Sequence, residues 1–160
     1  MDALKSGICG GYKMPDPLTP DLSDRPYETQ VVRAMRARPD AIYRSFTTGW
    51  EEWFALRGGL VVNAVSQGQL FFVVEFEGRR HPHYGRFLVV EPNRKIELTW
   101  LTGVGGTQGA ETVLSVELEP RDDGSEVTLT HRGFYDQERA DVHGKSWEGI
   151  LAHLDSRLMA

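Results

Sequence analysis

A long amphipathic helix at the end of the chain constrains the fold more than any other feature. From about Gln137 to Leu158, apolar residues recur every three or four positions, which predicts a helix with one apolar stripe. The stripe consists of His143, Trp147, Ile150, Leu151, Leu154 and Leu158. Asp136 is placed to cap this helix, and Glu138 suits the positive end of its dipole. Because strand patterns precede the helix, we expect the stripe to pack against a sheet.

The chain before this helix has the pattern of an antiparallel sheet. A first strand is predicted over residues 27–37, and Arg38-Pro39-Asp40 predicts the start of the first of two short helices. Six further strands are predicted over Leu60–Ser66, Leu70–Glu77, His83–Val90, Lys95–Leu101, Thr112–Glu119 and Glu126–His131. Mostly short, turn-forming connectors between them indicate a meander. The expected class is therefore α+β, with about seven antiparallel strands wrapped around the C-terminal helix.

Length and composition narrow the class of protein. With 160 residues, the chain is predicted to form one domain over residues 27–160, preceded by an extended arm over residues 1–26. The net charge of -5 argues against a nucleic-acid partner. Apolar runs fall short of the roughly 20 residues that span a bilayer, and no signal-peptide pattern is found, so a cytoplasmic protein without a membrane span is expected. Cys9 is the single cysteine, which excludes an intrachain disulfide.

Alternation within the strands predicts which side chains point inward. Trp100 and His131 share faces with apolar neighbours and are predicted to point towards the long helix. The strand over residues 70–77 is apolar on both faces, so its alternation leaves two assignments open. An apolar row on the outside would be exposed, covered by the N-terminal arm, or buried in a dimer.

Several short motifs occur in the order and spacing of a known family. They are Trp53-Phe54, Gly68 with Phe71, Gly85-Arg86-Phe87, Glu91-Pro92, Leu98-Thr99-Trp100, Leu118-Glu119-Pro120, Leu129-Thr130-His131-Arg132-Gly133-Phe134, and His143 with Trp147 and Leu151. Over roughly residues 27–158, the chain resembles the helix-grip fold shared by the START and birch-pollen-allergen ligand-binding proteins. Within that superfamily it is most similar to the homologues of the Hsp90 ATPase activator.

The resemblance implies an apolar cavity between the sheet and the long helix. By analogy with the family, Phe71, Val73 and Glu75 face this cavity, and the row of Leu70, Phe72, Val74 and Phe76 lies outside. The residues expected to line the cavity are Trp50, Trp53, Phe54, Phe71, Val73, Glu75, Phe87, Leu98, Trp100, Leu114, Val116, Leu129, His131, His143, Trp147, Ile150, Leu151 and Leu154.

Three functions follow as hypotheses. The leading one is binding of a hydrophobic or aromatic small molecule in the cavity, without catalysis and without a cofactor. The second is an enzyme of the cyclase, aromatase or hydratase kind, in which His131, Glu75 or Tyr84 moves protons on a bound substrate. The third is a protein-interaction role like that of the Hsp90 activator, or a homodimer. The third would use the outer apolar row of the strand over residues 70–77.

Two histidine patterns have structural as well as chemical interpretations. For His131 the sequence favours a histidine that is bonded to backbone and anchors the corner between the last strand and the helix, because no partner at nucleophile spacing is present. His81-Pro82-His83 has the spacing of half a zinc site, but the sequence places no third ligand nearby. No metal site is predicted.

Overall fold

The computed structural model describes residues 19–160, and its elements follow the predicted order. The strands are β1 (Tyr27–Met35), β2 (Val61–Val62), β3 (Gln69–Phe76), β4 (Arg79–Glu91), β5 (Lys95–Trp100), β6 (Thr112–Arg121) and β7 (Gly124–Phe134). The helices are α1 (Pro39–Ser45), the 3₁₀ helix Trp50–Glu52 and α2 (Gln137–Leu158). The strands form one antiparallel sheet in the order β1-β7-β6-β5-β4-β3-β2. The predicted α+β helix-grip fold is therefore confirmed.

Helix α2 has the predicted bounds and cap. Its N-cap Asp136 accepts a hydrogen bond from the Arg139 backbone N–H at 2.7 Å, which satisfies one of the free donors of the first turn. The helix lies close to β1 at Gly144, where a Cβ atom would stand 2.3 Å from the Thr29 hydroxyl. Only a glycine allows that approach, so Gly144 sets how closely the helix covers the sheet.

Strand β2 is much shorter than predicted. It includes only Val61 and Val62, whereas the prediction extended to Ser66. The chain turns back before that point, because the Val65 N–H donates to Asn63 O at 2.9 Å and Gln67 adopts a positive φ of 65°. The sheet therefore ends in a short edge strand. Most of β3 extends past β2 and has no strand paired with it along that edge.

The two faces of β3 are the reverse of the family-based prediction. Leu70 and Phe72 are buried in the core, whereas Phe71 lies on the other face against Tyr84 at 5.1 Å between ring centroids. The sequence pattern left this choice open because both rows are apolar. The packing decides it, since Phe72 stacks on Trp50 at 4.9 Å.

This reversal corrects two further predictions. Val73 and Glu75 share the outer face with Phe71, so the three residues predicted to line the cavity from β3 do not do so. Among the residues predicted to form an exposed docking row, Leu70 and Phe72 are buried, Val74 is half-buried against the core and Phe76 is 63% exposed. The row is therefore largely inside the protein and offers no continuous surface to a partner.

The predicted N-terminal arm falls mostly outside the described residues, which begin at Thr19. Its last part is held to the body by Arg25, a buried side chain. The Arg25 guanidinium donates to the carbonyl of Glu111 at 2.9 Å and to that of Gly133 at 3.1 Å. The division of the chain into arm and domain at Pro26 stays a prediction.

The assignment of β3 faces predicts different costs for neighbouring phenylalanines. Phe72→Ala should lower the free energy of unfolding by about 3–5 kcal/mol, because it removes a fully buried ring. Phe71→Ala, the matched control on the half-buried outer face, should cost about 1–2 kcal/mol. Urea unfolding of both variants measures the difference. A larger loss for Phe71→Ala would contradict this face assignment.

Candidate functional site

The structure brings together the three inward residues that the sequence predicted. Trp100, His131 and Trp147 are all buried on the concave side of the sheet. The ring centroids of Trp100 and Trp147 lie 5.5 Å apart, and those of Trp100 and His131 lie 6.3 Å apart. The predicted orientation of these residues is confirmed.

A chain of hydrogen bonds runs through His131. The Trp147 indole N–H donates to His131 Nδ1 at 3.1 Å, so Nδ1 carries no proton and Nε2 does. The His131 Nε2–H then donates to Thr112 Oγ1 at 2.7 Å, and the Thr112 hydroxyl donates to the carbonyl of Trp100 at 2.5 Å. His131 therefore anchors the corner as predicted, but the predicted bonding to backbone is wrong, because its partners are side chains of α2 and β6.

This environment keeps His131 neutral. Complete burial, with a smaller contribution from nearby His143, holds the pKa of His131 well below its usual value of 6.5. Both ring nitrogens are already engaged in hydrogen bonds. The imidazole is therefore a structural link between helix and sheet, and it is not placed to exchange protons with a ligand.

The residues suggested for catalysis do not meet. Glu75 lies on the outer face with a side chain that is 52% exposed, and it faces Arg80 at 3.8 Å. Tyr84 is also on the outer face and is 51% exposed. His131 is buried on the inner face, so the sheet separates it from the other two groups. The proposed set of His131, Glu75 and Tyr84 forms no joint acid–base site.

Aromatic rings fill the space between the sheet and α2. The members of this aromatic cluster are Phe46, Trp50, Trp53, Phe54, Phe72, His83, Trp100 and Trp147. At its centre, Phe72 lies between Trp50 and His83, with centroid distances of 4.9 Å on each side and near-parallel planes. Such offset stacking is favourable for aromatic rings and adds to the burial of their apolar area.

Most residues predicted to line a cavity belong to this packed interior. The buried ones are Trp50, Trp53, Phe87, Leu98, Trp100, Leu114, Val116, Leu129, His131, Trp147, Leu151 and Leu154. Phe54, His143 and Ile150 are half-buried beside them. The side chains predicted as cavity walls therefore contact one another in the ligand-free protein.

The predicted lining residues omitted three residues of the cluster. Phe46 was not among them, Phe72 was assigned outside with its row, and His83 was considered only as a metal ligand. The register of β3 against β4 pairs Phe72 with His83, which puts both rings on one face. The sequence does show a histidine among the alternating residues of a long hairpin. Only the strand register shows which residue that histidine faces.

His83 is a neutral hydrogen-bonding group in this apolar environment. Burial lowers the pKa of His83 to about 4, despite a hydrogen bond with the His81 carbonyl that favours the charged form. His83 Nδ1 lies 2.8 Å from that carbonyl and donates to it, which leaves the lone pair of Nε2 as an acceptor. No group of three or more metal-ligating side chains suited to an ion occurs in residues 19–160.

The Trp50 indole is the least satisfied polar group of the cluster. Trp50 is fully buried, and its Nε1–H has no hydrogen-bond partner among the described residues. A buried donor left unpaired costs about 1–3 kcal/mol, so such groups are uncommon without a purpose. The interior thus contains a free donor, the Trp50 N–H, on one side of Phe72, and half-buried His83 lies on the other side.

Acid should destabilise the protein through His83. Because folding lowers the pKa of His83 from 6.5 to about 4, the unfolded chain binds the proton more tightly between these values. This contribution to stability is complete above the unfolded pKa and is lost as the pH falls towards the folded pKa. Between about pH 7 and about pH 5, His83 alone should reduce the free energy of unfolding by about 2 kcal/mol.

Denaturant unfolding at both pH values of the wild type and of His83→Phe, which keeps a ring in the stack, measures this effect. The variant should lose about 2 kcal/mol of the pH dependence. An NMR titration of His83 with a midpoint near its ordinary value would contradict the assignment.

Thr112 should be required for the buried hydrogen-bond chain. Thr112→Val keeps the shape of the side chain but leaves the His131 Nε2–H and the Trp100 carbonyl without this partner, at a cost of about 2–3 kcal/mol. Thr128→Val, on the half-exposed outer face of β7, is the matched control and should be nearly neutral. Thermal unfolding gives the costs, and ¹⁵N NMR of His131 reports its tautomer. Equal effects of the two substitutions would show that the chain contributes nothing specific.

The chain was compared with known proteins. None of the helices in residues 19–160 is long and apolar enough to cross a membrane. No curated protein sequence matches the chain. Solved structures do: protein Mll3558 from Rhizobium loti is 21% identical over 82% of this chain and 96% of that chain, with a TM-score of 0.68. Protein CV1439 from Chromobacterium violaceum is 19% identical over 83% and 97%, with a TM-score of 0.67.

A further structure is the Aha1 dimer from Colwellia psychrerythraea, 19% identical over 82% of this chain and 95% of that chain, with a TM-score of 0.61. At these identities the likeness shows a shared fold. The family model described as activator of Hsp90 ATPase homolog 1-like protein matches residues 36–159, which is most of the chain. This chain therefore belongs to the family of activator of Hsp90 ATPase homolog 1-like proteins.

Proposed function

We propose that this protein binds a planar aromatic small molecule between the sheet and α2, without converting it. Membership in the family supports a ligand-binding or Hsp90-activator-like domain. The buried, unpartnered Trp50 N–H is the observation that favours ligand binding. A ligand atom that accepts this hydrogen bond would remove the cost of the unpaired donor. Docking of a protein on the outer surface would leave that cost in place.

Phe54 is the side chain whose place the ligand takes. It is a half-buried member of the aromatic cluster, and it lies just after the 3₁₀ helix. Its ring contacts Trp53 at 5.2 Å, Phe72 at 5.8 Å and His83 at 5.9 Å between centroids. When the Phe54 ring swings out, a space of one ring opens among aromatic walls. A planar apolar molecule regains there the stacking and edge contacts that Phe54 gives up.

One polar group gives this space a preference among aromatic ligands. The Trp50 N–H is a donor with no acceptor among the described residues, whereas His83 lies on the other side of Phe72 and is out of reach of the same ligand group. A hydroxyl or carbonyl oxygen of the ligand accepts the Trp50 hydrogen bond. Apolar walls with a few placed polar groups are typical of small-molecule sites. The ligand class is therefore an aromatic molecule with one hydroxyl or carbonyl group.

Binding without turnover follows from the positions of the titratable groups. His131 is engaged at both nitrogens, and Glu75 and Tyr84 lie on the opposite face of the sheet. His83 is neutral with a pKa of about 4, which makes it a weak base near neutral pH. The Colwellia relative is described as a dimer, and a homodimer of this chain stays a separate prediction. Such a dimer would need a surface other than the β3 row.

Binding of naphthalene and 2-naphthol tests the proposal. The two probes have the same ring system, but only 2-naphthol has a hydroxyl group. The wild type should bind 2-naphthol about tenfold more tightly than naphthalene, as expected for one hydrogen bond to a buried donor. In Trp50→Phe this preference should fall to nearly one, because the N–H donor is gone. The ratio of the two dissociation constants is compared between the proteins. A change in packing caused by the substitution affects both probes and therefore cancels in this ratio.

Phe54→Ala should tighten the binding of both probes, because it removes the ring that the ligand displaces. Phe71→Ala, which shortens a phenylalanine on the outer face, is the matched control and should leave both affinities unchanged. Isothermal titration calorimetry gives the dissociation constants, and the indole N–H signals of the four tryptophans report the site. Failure of 2-naphthol to bind both the wild type and Phe54→Ala would overturn the proposal. An unchanged preference in Trp50→Phe would show that its N–H does not contact the ligand.

A further inference from the structure

We infer that a second site, on the surface beside α2, binds a small organic carboxylate that has an apolar ring. The site is a cleft of about 330 Å³ between the 3₁₀-helix segment and the C-terminal turns of α2. We call it the α2 cleft. Its apolar floor consists of Trp53, Ala55 and Leu56, and its rim consists of two arginines, Arg57 and Arg157, together with His153. The α2 cleft is distinct from the interior ligand site, and the inference rests on separate observations.

The carboxylates in the α2 cleft are already compensated. A Glu51 oxygen accepts hydrogen bonds from the backbone N–H groups of Gly58, Gly59 and Leu60 at 2.7, 3.2 and 3.1 Å. Glu52 forms an ion pair with Arg44. Because each carboxylate is engaged by its own partners, neither forms an ion pair with Arg57 or Arg157.

The arginines of the cleft retain free hydrogen-bonding capacity. Arg57 has no hydrogen bond or ion pair with any described residue. Arg157 uses one guanidinium nitrogen, which donates to the Glu52 carbonyl at 2.9 Å, and its other donors are not engaged by the described residues. His153 Nε2 donates to the Trp53 carbonyl at 3.0 Å and so holds the wall of the cleft in place. An anion entering the cleft therefore meets donors that no internal acceptor occupies.

The guanidinium groups and the apolar floor of the α2 cleft favour a planar carboxylate. Two oxygens in one plane match the fork of a guanidinium group, and an attached ring covers the floor formed by Trp53 and Leu56. The negative end of the α2 dipole, at Leu158, opposes an anion, so the attraction comes from the guanidinium groups and favours a ligand with a single negative charge. A volume of about 330 Å³ lies at the small end of the range for ligand pockets, which suits one or two rings.

Titration with 2-naphthoate and its neutral analogue 2-naphthamide tests this inference. When affinity is read from the side-chain signals of Arg57 and Arg157, which report the α2 cleft alone, the wild type should bind the carboxylate at least about tenfold more tightly than the amide, because a charge-assisted hydrogen bond is the stronger one. Arg57→Gln should reduce the affinity for 2-naphthoate about fivefold and leave 2-naphthamide unchanged. Since Arg57 has no internal partner, this variant should unfold at the wild-type temperature. Arg79→Gln, an exposed arginine at the β3–β4 hairpin, is the matched control and should change neither affinity.

The location of the signals separates this site from the interior one. Binding of 2-naphthoate should shift the side-chain signals of Arg57 and Arg157, which belong to the α2 cleft and not to the interior site, and it should still occur when 2-naphthol fails to bind. Raising the salt concentration from about 0.05 to about 0.5 M should weaken the binding of 2-naphthoate and leave the binding of 2-naphthamide unchanged. Equal affinities of the two probes, no effect of Arg57→Gln, or displacement of 2-naphthoate by equimolar sulfate would each overturn the inference.

Discussion

The hydrogen bond from the Trp147 indole to His131 is the interaction on which the relation between helix and sheet depends. It continues through Thr112 to the carbonyl of Trp100, so α2 is joined to three adjacent strands by one series of donors and acceptors. Apolar packing alone allows a helix to slide or rotate at modest cost. Here a displacement leaves buried polar groups unpaired, at about 1–3 kcal/mol for each. The chain of bonds therefore fixes the face that α2 presents to the interior.

With α2 fixed, the rest of the concave face has to be filled from elsewhere. Helix α2 packs mainly on β1 and β7, whereas the inner face of β3, β4 and β5 is covered by Trp50 and Phe54 from the segment around the 3₁₀ helix. Aromatic rings fill a wide space with few side chains, but the tryptophan rings among them carry N–H groups that need acceptors. Trp53 finds an acceptor in the Ser45 carbonyl, and Trp50 finds none. The unsatisfied group is thus a consequence of how this interior is filled.

The sequence predicted a structural feature correctly where its residue pattern was compatible with only one arrangement. The stripe of α2 has a single buried face, and its bounds and its Asp136 cap were predicted correctly. The inward positions of Trp100 and His131 were predicted for the same reason. Strand β3 is apolar on both faces, so its alternation was compatible with two orientations and the family analogy selected the wrong one. Only the contact of Phe72 with Trp50 decides between them, and two residues 22 positions apart in sequence carry no local sign of that contact.

The backbone beside the aromatic cluster restricts how a ligand enters. The segment from Glu52 to Leu60 is held at several points: Arg157 and His153 bind its carbonyls, Leu56 N–H donates to Val73 O at 2.8 Å, and Glu51 binds its last three amides. Displacing this segment breaks many of these bonds together, whereas rotating the Phe54 side chain breaks none of them. Opening by side-chain rotation is therefore the less costly route. The same bonds hold the backbone wall of the α2 cleft, so that wall stays in place when the Phe54 side chain rotates.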